Sequence, residues 1–410
     1  MPATTTIADR RQRFRLFLKR FNPSAPPRDA VGDGLIHDDP LRSVFRRLAA
    51  GADLTPGSQQ LIVGGIGSGK TTQLLLAQRE LSRHEAAMPV YIDVSAETDL
   101  STVNSGALLA SLALHLSGHV MKIAPGGETL RPLFLEISKA AYGYEEEVWE
   151  PEHEQEFGDY EPDDSDYEPG RFGRIRVAGK LKPPFPALKR DVSNLAQHVE
   201  QLNGVLKDGG KEVIAIFDGL DRLIKVDQFW SVAEQDLRAL RPLQISVLIA
   251  GPLSVSYGQG RLVKDYFDAA CYLHPAVADP RESSFLFEVL QLRGANELMS
   301  EAQMQAVCLA SGGVLRDLVS LARNSAESAY LDDADMIQDL HVQRAAEQLG
   351  NSYLLGLGTK QQEILQNVLA GGGFNPSETL SMELLITRRI LERADRYEVH
   401  PALVPLLSKN

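Results

Sequence analysis

The chain has 410 residues, 43% of them hydrophobic, and carries a net charge of −13. That is enough apolar material for about two or three domains, each with its own core. No window approaches the roughly 18 uncharged apolar residues of a membrane span, and no apolar signal core with a cleavage site opens the chain, so a soluble cytoplasmic protein is expected.

Residues 10–21, RRQRFRLFLKRF, put Phe14, Phe17, Leu18 and Phe21 at helical spacing among Arg and Lys. This basic amphipathic helix suits docking on the chain's own folded body or on a partner, while anionic lipid, nucleic acid or a transit function stays open. Pro, Gly and Asp make residues 22–39 an irregular connector, and residues 40–49 read as a short helix.

Residues 61–72, LIVGGIGSGKTT, organise the rest of the chain. An apolar strand runs into Gly64, then Gly65, Ile66, Gly67 and Ser68, then Gly69-Lys70-Thr71-Thr72 at the start of a helical pattern. This is the spacing of a phosphate-binding loop. Its glycines let successive backbone N–H groups face an anion, and the helix adds its positive N-terminal end. Lys70 is expected on the β- and γ-phosphates, and the Thr71 hydroxyl on Mg²⁺. ATP or ADP with Mg²⁺ is the implied cofactor, held by residues 64–72.

A helix over 71–84, a buried strand over 89–95 (PVYIDVS) and a second apolar helix over 102–116 continue the pattern. Strand, helix, strand and helix predict a parallel sheet in a three-layer α/β core. Residues 121–186 interrupt it. Within them residues 145–168 hold 13 acids and no Lys or Arg, so of 55 acids in the chain 42 remain to face 42 Lys and Arg. The folded body is thus near neutral and offers no general electrostatic case for nucleic-acid binding. Two copies of Asp-Tyr-Glu-Pro and a basic patch at residues 171–182 complete the segment. Its acidic part reads as an insertion too polar to order itself; the sharper alternative is a partner-binding or nucleic-acid-mimicking strip anchored by the tyrosines.

Apolar residues at steps of three and four make 188–206 a helix ending at Gly209-Gly210. Residues 212–223, EVIAIFDGLDRL, are then an apolar strand delivering Asp218 at its C-terminal edge, where such sheets place ligands. Asp218 would hold Mg²⁺ through water, and Asp221 would orient or deprotonate the attacking water. The next strand, 245–250, ends in Ala250-Gly251-Pro252, with Ser254 the nearest polar candidate for sensing a γ-phosphate. Arg261 and Arg281 are candidate fingers acting across an assembly. Cys271 and Cys308 read as buried thiols rather than a disulfide or zinc framework.

Residues 283–350 are helical, with a Ser300–Gln303 capping box. Arg316 opens one of these helices, an unfavourable place for a cation without an anionic partner, and a γ-phosphate would supply one. Residues 359–410 read as a small winged helix: helix 360–370, a triple-glycine turn, helix 377–386 and a hairpin over 390–400. That second helix has no base, which disfavours DNA contact, while Arg388, Arg389, Arg393 and Arg396 on the hairpin keep it open.

With these motifs in hand the chain resembles bacterial AAA+/STAND-type P-loop ATPases. FDGLDRL is similar to the acidic strand of the NACHT branch, with Arg222 departing from the acid often found there. SGGVLRDL is similar to the lid of the origin-recognition branch, which implies a phosphate-sensing role for Arg316. YEVHPAL resembles the histidine motif of NB-ARC switches, which implies that His400 touches the β-phosphate of bound ADP. The expected divisions are a basic helix and connector (1–34), a P-loop core (35–280, with the insertion at 121–186), a helical lid (281–357) and a winged helix (358–410). The resemblance implies a slowly hydrolysing ATP switch in signalling or antiphage defence, working through protein partners and an ATP-dependent homo-oligomer. A DNA-associated regulatory ATPase is the alternative, and a nucleotide-binding scaffold that scarcely hydrolyses is a third reading.

Overall fold

The computed structural model describes residues 7–38, 43–123, 130–142, 190–223, 225–257, 260–278, 284–393 and 395–408. The acidic block, both Asp-Tyr-Glu-Pro copies, the basic patch and Arg281 lie outside the described residues.

Five parallel strands, β1 (Gln59–Gly64), β2 (Ala87–Asp93), β3 (Glu212–Asp218), β4 (Ser246–Ala250) and β5 (Ala269–Leu273), pair in the order β2-β3-β4-β1-β5. The inner strands β1, β3 and β4 are apolar almost throughout because helices cover both faces. Pro89 lies in β2, at an edge, where a missing ladder donor costs least. Side chains alternate between the faces. Ile62, Ile214, Ile216 and Leu248 pack with α3 (Phe45–Leu54) and α4 (Lys70–Leu81), which come after α1 (Ile7–Arg20) and α2 (Pro27–Gly32) in the chain. Leu61, Val63, Ala215, Phe217 and Ile249 pack on the opposite side. That side is closed by α5 (Val94–Glu97), α6 (Ala107–Ile123), α7 (Arg131–Tyr142), α8 (Val192–Asp208), α9 (Val226–Leu240) and α10 (Gly260–Tyr266). The result is a three-layer α/β fold.

Helix α7 falls inside the stretch read from sequence as an interruption. Its apolar residues Phe134, Ile137 and Ala141 are buried on the α6–α8 layer, so ordered core extends past residue 121.

Helices α11 (Ser284–Leu292), α12 (Glu301–Ala310), α13 (Leu315–Leu331) and α14 (Asp339–Leu354) form a separate apolar cluster. The N-terminal helix joins this cluster and not the sheet: Phe14, Phe17 and Phe21 are at most 1% exposed within it. Its basic face has a local use. Arg10 donates to the carbonyls of Ala329, Tyr330 and Ala334 at the C-terminal end of α13, where a cation is favoured by the helix dipole. Finally α15 (Thr359–Leu369), α16 (Thr379–Ile386), the antiparallel β6 (Ile390–Glu392) and β7 (Tyr397–Val399), and α17 (Val404–Leu407) share a cluster with Leu253 of the sheet domain. Among the described residues no helix is long and apolar enough to cross a membrane.

Candidate functional site

The carboxyl end of the sheet carries the loop between β1 and α4. Gly67 and Gly69 have φ of +81° and +101°, which L side chains rarely adopt. A Cβ at Gly67 would also stand 2.8 Å from Arg316 Cβ, so the loop's crown is in contact with α13. Lys70 is 4% exposed, and its ammonium has three acceptors for its three protons: Gly64 O at 2.8 Å, Gly65 O at 3.0 Å and Asp221 Oδ2 at 2.9 Å. A phosphate group entering the loop would compete with this carboxylate for Lys70.

Asp218, at the end of β3, is 3% exposed. Tyr91 O–H donates to its Oδ2 at 2.7 Å and the Gly219 N–H to its Oδ1 at 2.8 Å; the Thr71 hydroxyl also hydrogen-bonds to it. Burial is the strongest influence on this carboxyl and raises it; the three donors oppose that, and it stays above the ordinary carboxylate range.

A cavity of about 280 Å³ runs from the loop to the connector. Residues 66–72 together with Asp221, Arg222 and Arg316 line its polar end, and Pro27, Ala30, Ile36, Phe285 and Val289 line its apolar end. His37 Nε2 lies 2.7 Å from Glu288 Oε2 beside that apolar end. A magnesium nucleotide fits these residues. Ser68 Oγ is buried with no hydrogen-bond partner among the described residues. Thr71 and Asp218 are adjacent oxygen donors, the chemistry Mg²⁺ takes while keeping several waters. The apolar slot has the character of a base site.

Arg316 lies in the first turn of α13 and lines the cavity; among the described residues its guanidinium makes no hydrogen bond or ion pair. Burial, then the nearby Arg388 and Arg222, lower its pKa. Its neighbour Asp317 faces the other way and is 2% exposed. There it accepts from Tyr353 O–H at 2.6 Å and Arg388 Nη1 at 2.7 Å, with His400 Nε2 at 3.3 Å. Burial acts to raise Asp317, but His400, Arg388 and Tyr353 outweigh it and hold the carboxyl below its ordinary value.

His400 is thus fully buried behind Asp317, packs against the Tyr353 ring at 4.8 Å and does not line the cavity. Its Nδ1 accepts the Ala402 N–H at 3.2 Å, so Nε2 carries the proton that faces Asp317. From the C-terminal unit Arg388 approaches the loop: its Nη1 would stand 3.4 Å from a Cβ at Gly67. Ser254 is buried with its hydroxyl unpartnered among the described residues and does not line the cavity either. Arg261, 93% exposed, makes only a weak contact with Asp265 one turn on.

The structure brings Lys70, Thr71, Asp221 and Arg316 to one cavity end, sets Asp218 behind Thr71 in hydrogen-bond contact with it, and leaves His400 outside. Sequence reasoning missed Tyr91, Asp317 and the residues that line the apolar slot, and named Arg388 only as a possible DNA contact. Two faint signals exist: Tyr91 stands two residues before a strand-end acid, and Asp317 directly follows the singled-out Arg316.

No protein-family model matches the chain, and no curated protein matches it by sequence. Solved structures with a similar course include the Orc1 protein of Aeropyrum pernix in complex with DNA, 15% identical over 96% of each chain with a TM-score of 0.45. Drosophila ORC bound to DNA is 13% identical over 97% of this chain and 92% of that one, with a TM-score of 0.41. A variant of RuvB from Thermotoga maritima is 14% identical over 92% of this chain and 96% of that one, with a TM-score of 0.42. Function is therefore read from this chain's own residues.

Proposed function

We propose that the protein is an AAA+/STAND-like molecular switch that binds ATP or ADP with Mg²⁺, hydrolyses slowly, and acts through protein partners in a signalling or defence role. In this reading residues 35–280 are the P-loop core, 281–357 the lid and 358–410 a winged helix. The loop amides, Lys70 and Arg316 bind the phosphates, and Thr71 and Asp218 hold the metal, which supplies charge neutralisation when bound. Asp221 orients water once a phosphate has drawn Lys70 away from it.

The observation that carries the reading is the pair Arg316–Asp317. One residue faces the phosphate end of the cavity; the next holds Arg388 and His400 of the C-terminal unit. A ligand that moves the start of α13 therefore acts on both contacts, which is the differential interaction a ligand-driven switch requires. Slow turnover is consistent with Gly219 in the position after the metal aspartate and with Asp221 tied to Lys70. Arg261 is exposed enough to act across a homo-oligomer.

Protein partners are favoured over DNA because three of the four arginines at the hairpin are committed internally, while Arg396, 64% exposed, pairs with Glu398. Arg388 holds Asp317, Arg389 donates to Tyr353 O and Leu355 O, and Arg393 to Glu398, Ala276 O and Gly312 O. The test compares nucleotide binding, Mg-ATP hydrolysis and oligomer size for wild type, Lys70→Ala and Asp218→Ala. Both variants are expected to lose hydrolysis and nucleotide-dependent assembly, and Lys70→Ala to bind nucleotide far more weakly. Equal nucleotide binding in all three overturns the proposal.

A further inference from the structure

Of the donors on Asp218, two follow from the phosphate-loop motif and its strand: the Thr71 hydroxyl and the Gly219 N–H. Tyr91 does not. It stands on the edge strand β2, paired in register with Ile216 of β3, and reaches past the strand end so that its hydroxyl meets Asp218 Oδ2 at 2.7 Å. The ring carries the Arg28 guanidinium at 5.4 Å from its centroid. Arg28 belongs to α2, and α2 also contributes Pro27 and Ala30 to the apolar end of the cavity.

We propose that Tyr91 is a positioning residue that aims the Asp218 carboxylate at the metal of a bound Mg-nucleotide, and that Arg28 ties its pose to the connector closing the base end. This rests on the nucleotide reading above. A carboxylate terminal torsion is soft, with broad, roughly two-fold preferences, so an unheld aspartate explores many directions. Here Oδ1 is fixed by the chain's own Gly219 N–H and Oδ2 by Tyr91, which leaves the carboxylate plane little freedom. Mg²⁺ demands near-ideal octahedral geometry, so a wandering ligand weakens it. A phenol is protonated at neutral pH and donates one hydrogen bond, which suits a carboxylate and leaves the carboxylate's other lone pairs for metal-bound water. The bland account, a buried phenol satisfied by the nearest acceptor, makes a different prediction, because phenylalanine would then serve equally well at the metal.

The experiment is a titration of Mg²⁺ against binding of a fluorescent ATP analogue to the full chain, with parallel titrations in chelator and thermal melts. For Tyr91→Phe the half-saturating Mg²⁺ is expected to rise roughly 10–100-fold, the range for loss of a group that supports a metal ligand, while affinity in chelator and melting temperature stay near wild type. Arg28→Ala should shift the same midpoint in the same direction by less. An unchanged Mg²⁺ midpoint in Tyr91→Phe overturns the proposal, and a shift matched by equal loss of affinity in chelator assigns Tyr91 a structural role and also overturns it. Should Tyr91→Phe melt early, the Arg28→Ala midpoint decides. Failure of the wild type to bind the analogue with or without Mg²⁺ removes the nucleotide reading itself, an outcome distinct from these.

Discussion

Two clusters, one at the cavity's polar end and one reaching from it into the C-terminal unit, are built by different means. Lys70, Thr71, Asp218 and Asp221 all issue from one sheet, within a few residues of the ends of β1 and β3, and their relative positions follow from strand register. Asp317, Arg388 and His400 issue from a helix and the C-terminal unit and are held together by side chains, through one buried carboxylate whose chain neighbour is Arg316. The first arrangement hangs from the ends of β1 and β3, whose positions the backbone ladder fixes. The second can open by breaking an ion pair. A switch needs one half of each kind: a fixed reference and a contact that can be lost.

Substitutions can break that contrast. The largest effect is expected from Asp317→Asn, which leaves Arg388 without its charge partner in a site only 18% exposed; removing one member of such a pair costs about 3–5 kcal/mol. Differential hydrogen exchange should show β6 and β7 losing protection while β1 and β3 keep theirs. Equal loss in both halves would erase the distinction. Next is Gly67→Ala, where a positive φ and the nearby Arg316 Cβ together should cost about 1–3 kcal/mol and push the loop's crown off α13. It is expected to weaken nucleotide binding with little change in the sheet's exchange rates.

Smaller still in stability, Arg316→Gln should fall within about 0.5 kcal/mol of wild type in a denaturant melt, since this residue makes no ion pair among the described residues. Nucleotide affinity should nonetheless drop by roughly 10–100-fold, the equivalent of a charge-assisted hydrogen bond. A melt shifted as far as that of Asp317→Asn would show the two neighbours acting as one structural unit.

The gentlest probe is pH, because a carboxyl in the helix layer over the sheet and Asp317 are shifted with opposite signs. Asp236, fully buried, caps the start of α6 through the Gly106 and Leu108 N–H groups; burial dominates those donors and raises its carboxyl to about 7. A folded-state pKa above the unfolded value means that its contribution is full below the ordinary carboxylate range and is lost as pH rises toward 7. Asp317 is depressed, so its contribution is present above the ordinary range and lost as pH falls through the folded-state value. Acidification from neutrality should therefore firm the sheet layer and then loosen the C-terminal unit. Hydrogen exchange followed from pH 7 to pH 3 checks this, and a common slope in both halves would contradict it.

The same contrast explains what is legible in the sequence. The parallel sheet, the phosphate loop and Asp218 write themselves as apolar runs and short-range spacing, because backbone ladders impose local patterns. Asp317 and Arg388 meet across 71 positions, and nothing local marks them. Arg388 even sits where pattern rules expect glycine, at φ +63° just past α16. His400 stands out by resemblance alone; its burial behind Asp317 depends on how the C-terminal unit seats on α13 and α14. Helix α7 is masked by the highly charged stretch that comes after it, although its own apolar spacing is helical.

Arg190, which opens the segment leading into α8, donates from Nε to Ala141 O at 3.1 Å, near the end of α7, and from Nη1 to Asn104 Oδ1 at 3.3 Å. The two ends that flank residues 143–189 are thus stapled side by side by one side chain, a single doorway. Whatever length lies beyond the doorway adds only a slowly growing closure entropy, about 0.6 kcal/mol per doubling. A linker or tag joined across this doorway should therefore close at little cost to the core, making it the natural place to mount a reporter.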